Sequence, residues 1–91
     1  MNISELLNKI ESKEILKKDC HTHFSALGFE CMIVDINAAP FMIDKYSLIT
    51  LEIPADKRGN LSRFAGKLVE VVPTSISSHG PRINFYIREK K

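Results

Sequence analysis

Residues 82–88 alternate without a break: Ile83, Phe85 and Ile87 fill one set of positions, and Arg82, Asn84, Tyr86 and Arg88 fill the other. Successive side chains of an extended chain point to opposite sides, so this order predicts a strand with one apolar and one polar face. Such a strand needs neighbours to complete a sheet and a layer to cover its apolar face. Three further runs supply the neighbours. Residues 29–36, from Phe29 through Cys31, Met32, Ile33 and Val34, lie between Gly28 and the Asn37-Ala38-Ala39-Pro40 break and predict a largely buried strand. Residues 46–53 alternate Ile49, Leu51 and Ile53 with Leu48, Thr50 and Glu52. Residues 67–72 predict a third strand, which Pro73 limits or places at an edge because proline has no N–H for the ladder. Turn residues over 75–81 separate it from the last strand.

Helical spacing is confined to short segments. Asn2 is a capping residue with Glu5 three positions later, and Ile3, Leu6, Leu7 and Ile10 follow on one face, predicting an amphipathic helix of about three turns. The pattern slips at Ser12, so residues 12–18 form a second short helix or a bend, and residues 20–28 read as irregular. Asn60, Leu61, Phe64 and Gly66 predict one or two helical turns before the third strand. The fold class that follows is α+β. An N-terminal amphipathic helix accompanies a small, mainly antiparallel sheet of four to five strands in one domain spanning residues 1–91. Two arrangements fit: a partly closed OB-like or SH3-like barrel, or an open sheet backed by the first helix. The run Phe64-Ala65-Gly66-Lys67-Leu68-Val69-Glu70-Val71 resembles a barrel strand of OB-type domains, where a Gly-Lys step opens a strand of alternating valines. A domain of 91 residues buries a modest share of its surface, which leaves room for stabilisation by a partner or a second copy.

A net charge of +2 hides an asymmetry. Residues 1–56 carry five lysines and nine acids, a balance of −4, while residues 57–91 carry eight Lys or Arg against Glu70 and Glu89, a balance of +6. All four arginines, Arg58, Arg63, Arg82 and Arg88, lie in the second part. Such an imbalance points to an anionic partner, or else to two halves that neutralise each other in the folded domain. The N-terminal residues mix acids and lysines among apolar positions, which predicts a chain that stays in the compartment of its synthesis. Two cysteines are too few for a disulfide scaffold and fit a reducing, cytoplasmic setting.

Cys20, His21, His23 and Cys31 contain the ligand types of a zinc site, but all four fall within twelve residues and Cys20 and His21 are adjacent, against the paired spacing of zinc ribbons. The expectation is no metal, with Cys31 in the core and the histidines solvated. No nucleophile elbow, phosphate loop, dinucleotide fingerprint or carboxylate dyad is present, which predicts a non-enzymatic domain with no cofactor and no small-molecule substrate.

The best candidate surface combines Lys57, Arg58, Arg63 and Lys67 with the polar face of the last strand: Arg82, Asn84, Tyr86 and Arg88. Alternate strand residues stand roughly 6.6 Å apart, so guanidinium groups could track phosphates while Tyr86 stacks on a base and Asn84 reads an edge. This predicts a nucleic-acid-binding module that prefers single strands. The alternative is a protein-interaction module, such as an adaptor, assembly subunit or inhibitor, whose acidic and basic halves mediate docking or self-association. The first expectation requires the late cations to gather beside an exposed tyrosine.

Overall fold

The computed structural model describes residues 1–35, 47–76 and 82–90, excluding the side chains of 75 and 76. Helix α1 spans Ile3–Glu11; the Asn2 side chain accepts a 2.9 Å hydrogen bond from the Glu5 amide, filling one of the donors left open at a helix start. Its stop is unusual: Lys13, with φ of 65°, occupies the left-handed region, and its amide donates to the Ile10 carbonyl. A bend and a short 3-10 helix over Lys17–Asp19 follow.

Residues 20–28 are not irregular. They form α2, Cys20–Ala26, closed by Gly28 at φ of 86°. The Gly28 amide donates to Ser25 and the Phe29 amide to Phe24, while the Phe24 and Phe29 rings meet edge to face at 5.7 Å. Those two bonds and the apolar contact across them constitute a Schellman stop, which needs a residue without a Cβ penalty at the left-handed position.

Four strands follow: β1 (Glu30–Asp35), β2 (Ile49–Glu52), β3 (Leu68–Ile76) and β4 (Arg82–Glu89). They form one antiparallel sheet in the order β1-β4-β3-β2, with Met32 opposite Phe85, Val71 opposite Ile87 and Val72 opposite Tyr86. The sheet is open, with β1 and β2 as its two edges, and the barrel alternative is set aside. Both faces carry apolar residues, so each is covered by its own layer rather than one face being wrapped inside a cylinder. On the first face Ile83, Phe85 and Ile87 of β4 join Val69, Val71, Val34 and Ile53 beneath Leu61 and Phe64. The last two come from a 3-10 helix over Gly59–Phe64, the helical insert expected before the third strand, and Gly66 takes the expected left-handed stop at φ of 75°. On the second face Tyr86 and Val72 pack beneath Leu6 and Ile10 of α1, Cys20 and Phe24 of α2, and Phe29.

β3 runs through Pro73 to Ile76 instead of ending at residue 72. Its pairing with β2 covers only Leu68 to Val71, so Pro73 owes no donor on that side. On the β4 side a register shift between Pro73 and Ser75 makes Thr74 the extra residue of a bulge, and its hydroxyl donates to the Asn84 carbonyl at 3.1 Å. The expected ends of the first two strands, Ile36 and Tyr46, lie outside the described residues, as do 77–81 of the predicted loop.

The left-handed stop at Lys13 yields a direct test. A side chain there carries a steric penalty that glycine escapes, so Lys13→Gly is expected to raise stability by about 1 kcal/mol in urea unfolding. A loss of stability would show that Lys13 is held by contacts beyond its backbone conformation.

Candidate interaction site

The eight residues singled out from sequence separate into two groups. Tyr86 is 8 % exposed and does not form a stacking platform for a base. Its ring stacks on Phe24 at 4.2 Å with an interplanar angle of 16°, and His21 lies against it at 6.0 Å. The reason is α2, which lies across the face of β4 that the alternation marked as polar. A tyrosine under such a layer contributes ring area to the core while its hydroxyl keeps a polar contact. Asn84 is half-buried beside the bulge.

Arg88 is an anchor rather than a surface cation. Its Nε donates to Glu70 Oε1 at 3.1 Å, its Nη1 to the Leu27 carbonyl at 2.6 Å, and its guanidinium lies 4.4 Å from the Phe29 ring centroid. One side chain therefore joins β4, β3 and the end of α2. Arg63 pairs with Glu30 and Lys67 with Glu89 at 3.4 Å, both exposed pairs of the kind that contribute little to stability but neutralise charge locally. The Glu30–Arg63 pair joins the acidic and basic halves of the chain, as the neutralisation reading expects.

Lys57, Arg58 and Arg82 come together. They line an open cleft of about 480 Å³ with Asn60, Leu61, Ile33, Val34 and Asp35. Arg82 stands opposite Asp35 in the β1–β4 register, and Arg58 and Arg82 are exposed and make no ion pair among the described residues. Three cations against one acid leave the lining at +2. Ile33, 52 % exposed, adds an apolar contact at the rim.

The expectation that Cys31 is a core residue fails. Cys20, 3 % exposed, is the core residue, its thiol donating to the Leu16 carbonyl at 3.4 Å, whereas Cys31 is exposed on β1. Burial pushes the Cys20 thiol up, and neighbouring Asp19 adds to the shift. Cys31 is exposed as a residue, yet its thiol sits against the sheet closely enough for burial to raise it, partly offset by a hydrogen bond with Tyr86. Both thiols are thus held in the protonated, weakly nucleophilic form at neutral pH. Among the described residues no three His, Cys, Asp or Glu side chains gather as metal ligands, and no helix is long and apolar enough to cross a membrane.

Sequence alone missed the covering of Tyr86, although the signal was present. Cys20, Phe24 and Leu27 recur at i, i+4 and i+7, with Gly28 just beyond, which is the pattern of a short amphipathic helix and its stop.

The division between anchored and open arginines predicts opposite responses to one substitution. Arg88→Gln leaves Glu70 half-buried without its partner and should lower stability by about 2 kcal/mol. Arg82→Gln should stay within about 0.5 kcal/mol. Equal, small changes in urea unfolding would remove Arg88 as the fastening between α2 and the sheet.

No family model, curated protein or solved structure matches this chain.

Proposed function

We propose that the chain is a non-enzymatic protein-interaction module that docks an acidic partner at the cleft lined by Arg58 and Arg82. The observation that carries this reading is the company those arginines keep: an exposed isoleucine, a buried valine and leucine, and an asparagine border the same opening. A surface that mixes apolar contact with a modest positive potential suits a polypeptide, whose side chains offer both. Guanidinium groups donate paired hydrogen bonds to the two oxygens of a carboxylate, which adds direction to the attraction.

The second reading is nucleic-acid binding, and the convergence of Lys57, Arg58 and Arg82 favours it, because guanidinium and ammonium groups also hold phosphates. It has lost the stacking residue on which a preference for single strands rested, since Tyr86 lies under α2 and, among the described residues, no aromatic side chain lines the cleft. Contact through phosphates alone would give affinity without base recognition.

Fluorescence anisotropy separates the two. A labelled acidic peptide of ten residues alternating Glu and Val, and a thymidine oligonucleotide of equal charge, are titrated with the chain at the same low ionic strength. The peptide is expected to bind more tightly, with affinity falling as salt rises and dropping about tenfold or more in the Arg58→Glu, Arg82→Glu double variant. Tighter binding of the oligonucleotide would establish the nucleic-acid reading in its place. Peptide affinity that ignores the double substitution would remove the cleft as the site.

A further inference from the structure

We infer that Asp35 makes the cleft choose a polypeptide over a nucleic acid, by accepting a hydrogen bond from a backbone N–H of the partner while Arg58 and Arg82 hold the partner's carboxylates. This inference rests on the acidic-docking reading above and names the residue that sets its specificity. Asp35 is the last residue of β1 and Arg82 the first of β4, and the two stand opposite each other in the antiparallel register. Directly opposed residues send their side chains to the same face, with Cβ atoms about 5 Å apart. Both are exposed and both line the cleft, which therefore presents an anion beside a cation at the ends of the two strands. Arg82 forms no ion pair among the described residues, so its guanidinium is not spent on this neighbour.

Asp35 is the one acid in the lining among the described residues, against Lys57, Arg58 and Arg82. For a ligand made of phosphates it is a defect. The backbone of DNA brings charge and acceptors at every nucleotide but no donor, so beside Asp35 it meets repulsion with nothing to offset it. The donors of a single strand sit on its bases, away from the phosphates that the arginines would hold.

For a polypeptide the same carboxylate is an asset. Every residue except proline carries a backbone N–H close to its side chain, so one segment satisfies the arginines with carboxylates and Asp35 with a donor. An ionised carboxylate only accepts, and its two oxygens offer about four lone-pair positions, so contacts within the chain leave capacity for a further donor. A hydrogen bond to a charged group belongs to the stronger class, whereas repulsion between exposed carboxylates is weakened by water and salt. Ile33 precedes Asp35 by two positions and shares its face of the strand, which places the apolar contact beside the acceptor. Donor, acceptor and apolar surface thus stand together in one opening, and a peptide carries the complement of all three.

The test titrates three ligands at one low ionic strength, on the unaltered chain and on Asp35→Ala: the Glu-Val peptide, the same peptide N-methylated at its backbone amides, and the thymidine oligonucleotide. The variant is expected to bind the unmethylated peptide about threefold or more weakly and the oligonucleotide about threefold or more tightly. Loss of a bare negative charge does not produce these opposite signs, because it favours both anionic ligands. On the unaltered chain the N-methylated peptide, which keeps the carboxylates and lacks the donors, is expected to bind about threefold or more weakly than the unmethylated one. On Asp35→Ala the two peptides should bind equally. Peptide binding that is unchanged or tighter in the variant would overturn the inference and leave acidic docking intact. Oligonucleotide affinity that does not rise would overturn Asp35 as the source of the choice. Equal affinity of the two peptides for the unaltered chain would overturn the inference even if the variant failed to fold. Failure of the unmethylated peptide to bind the unaltered chain would overturn the docking reading and this inference with it.

Discussion

The stack of Phe24 on Tyr86, 4.2 Å apart, fastens the helical layer to the sheet. Phe24 also meets Phe29 edge to face, and Arg88 lies over Phe29 while holding Glu70 and the Leu27 carbonyl. Three rings and a guanidinium thus connect α2, β3 and β4 at one point. Aromatic pairs in offset or edge-to-face geometry contribute about 0.5–1.5 kcal/mol beyond their buried area, and the burial itself contributes more. Without this cluster, the second face of the sheet would expose Val72 and Tyr86 to water, and α1 would have no surface on which to bury Leu6 and Ile10. In a domain of this size that second core is a substantial part of what opposes chain entropy.

The same cluster decides how the positive charge is distributed. Arg88 is consumed in fastening, and Arg63 and Lys67 are matched by Glu30 and Glu89. The sequence balance of +6 over residues 57–91 therefore does not become a broad basic face. Of the remaining cations, Lys57, Arg58 and Arg82 gather around one cleft, where the 3-10 helix over Gly59–Phe64 meets the ends of β1 and β4. A small, mixed surface of this kind is better matched to a polypeptide than to a run of phosphates.

Much of the fold is legible in the sequence where a periodic signal is long and uninterrupted. The alternation over residues 82–88 locates β4 and its core-facing set, Ile83, Phe85 and Ile87. Asn2 and Glu5 mark the start of α1, and Leu61, Phe64 and Gly66 mark the helical insert and its stop, although the insert begins at Gly59 with Arg58 and not Asn60 at the cap position. The errors have a common cause. α2 is seven residues of modest helix formers, Cys-His-Thr-His among them, and its stability comes from packing and from the Gly28 stop instead of local propensity. Missing α2 made the other face of β4 look solvated, and the roles expected of Tyr86 and Arg88 followed from that. The missing N–H of Pro73 points to a strand that stops there or lies at an edge; a bulge at Thr74 and the short reach of β2, which leaves Pro73 without a β2 partner, let the strand continue. Local pattern reports which residues can pair, whereas the layer that covers them depends on contacts far apart in sequence.

Native-state hydrogen exchange tests the central claim, that α2 seals Tyr86 into the core, most directly. The account predicts that the amides of α2 and those of β4 at residues 85–87 exchange with the same free energy, equal to that of global unfolding, because the Phe24–Tyr86 stack opens only when the domain does. Exchange in α2 faster than in β4 by orders of magnitude would mean the helix detaches on its own. Tyr86 would then be exposed in the working state of the protein, and the division between anchored and open residues would fail.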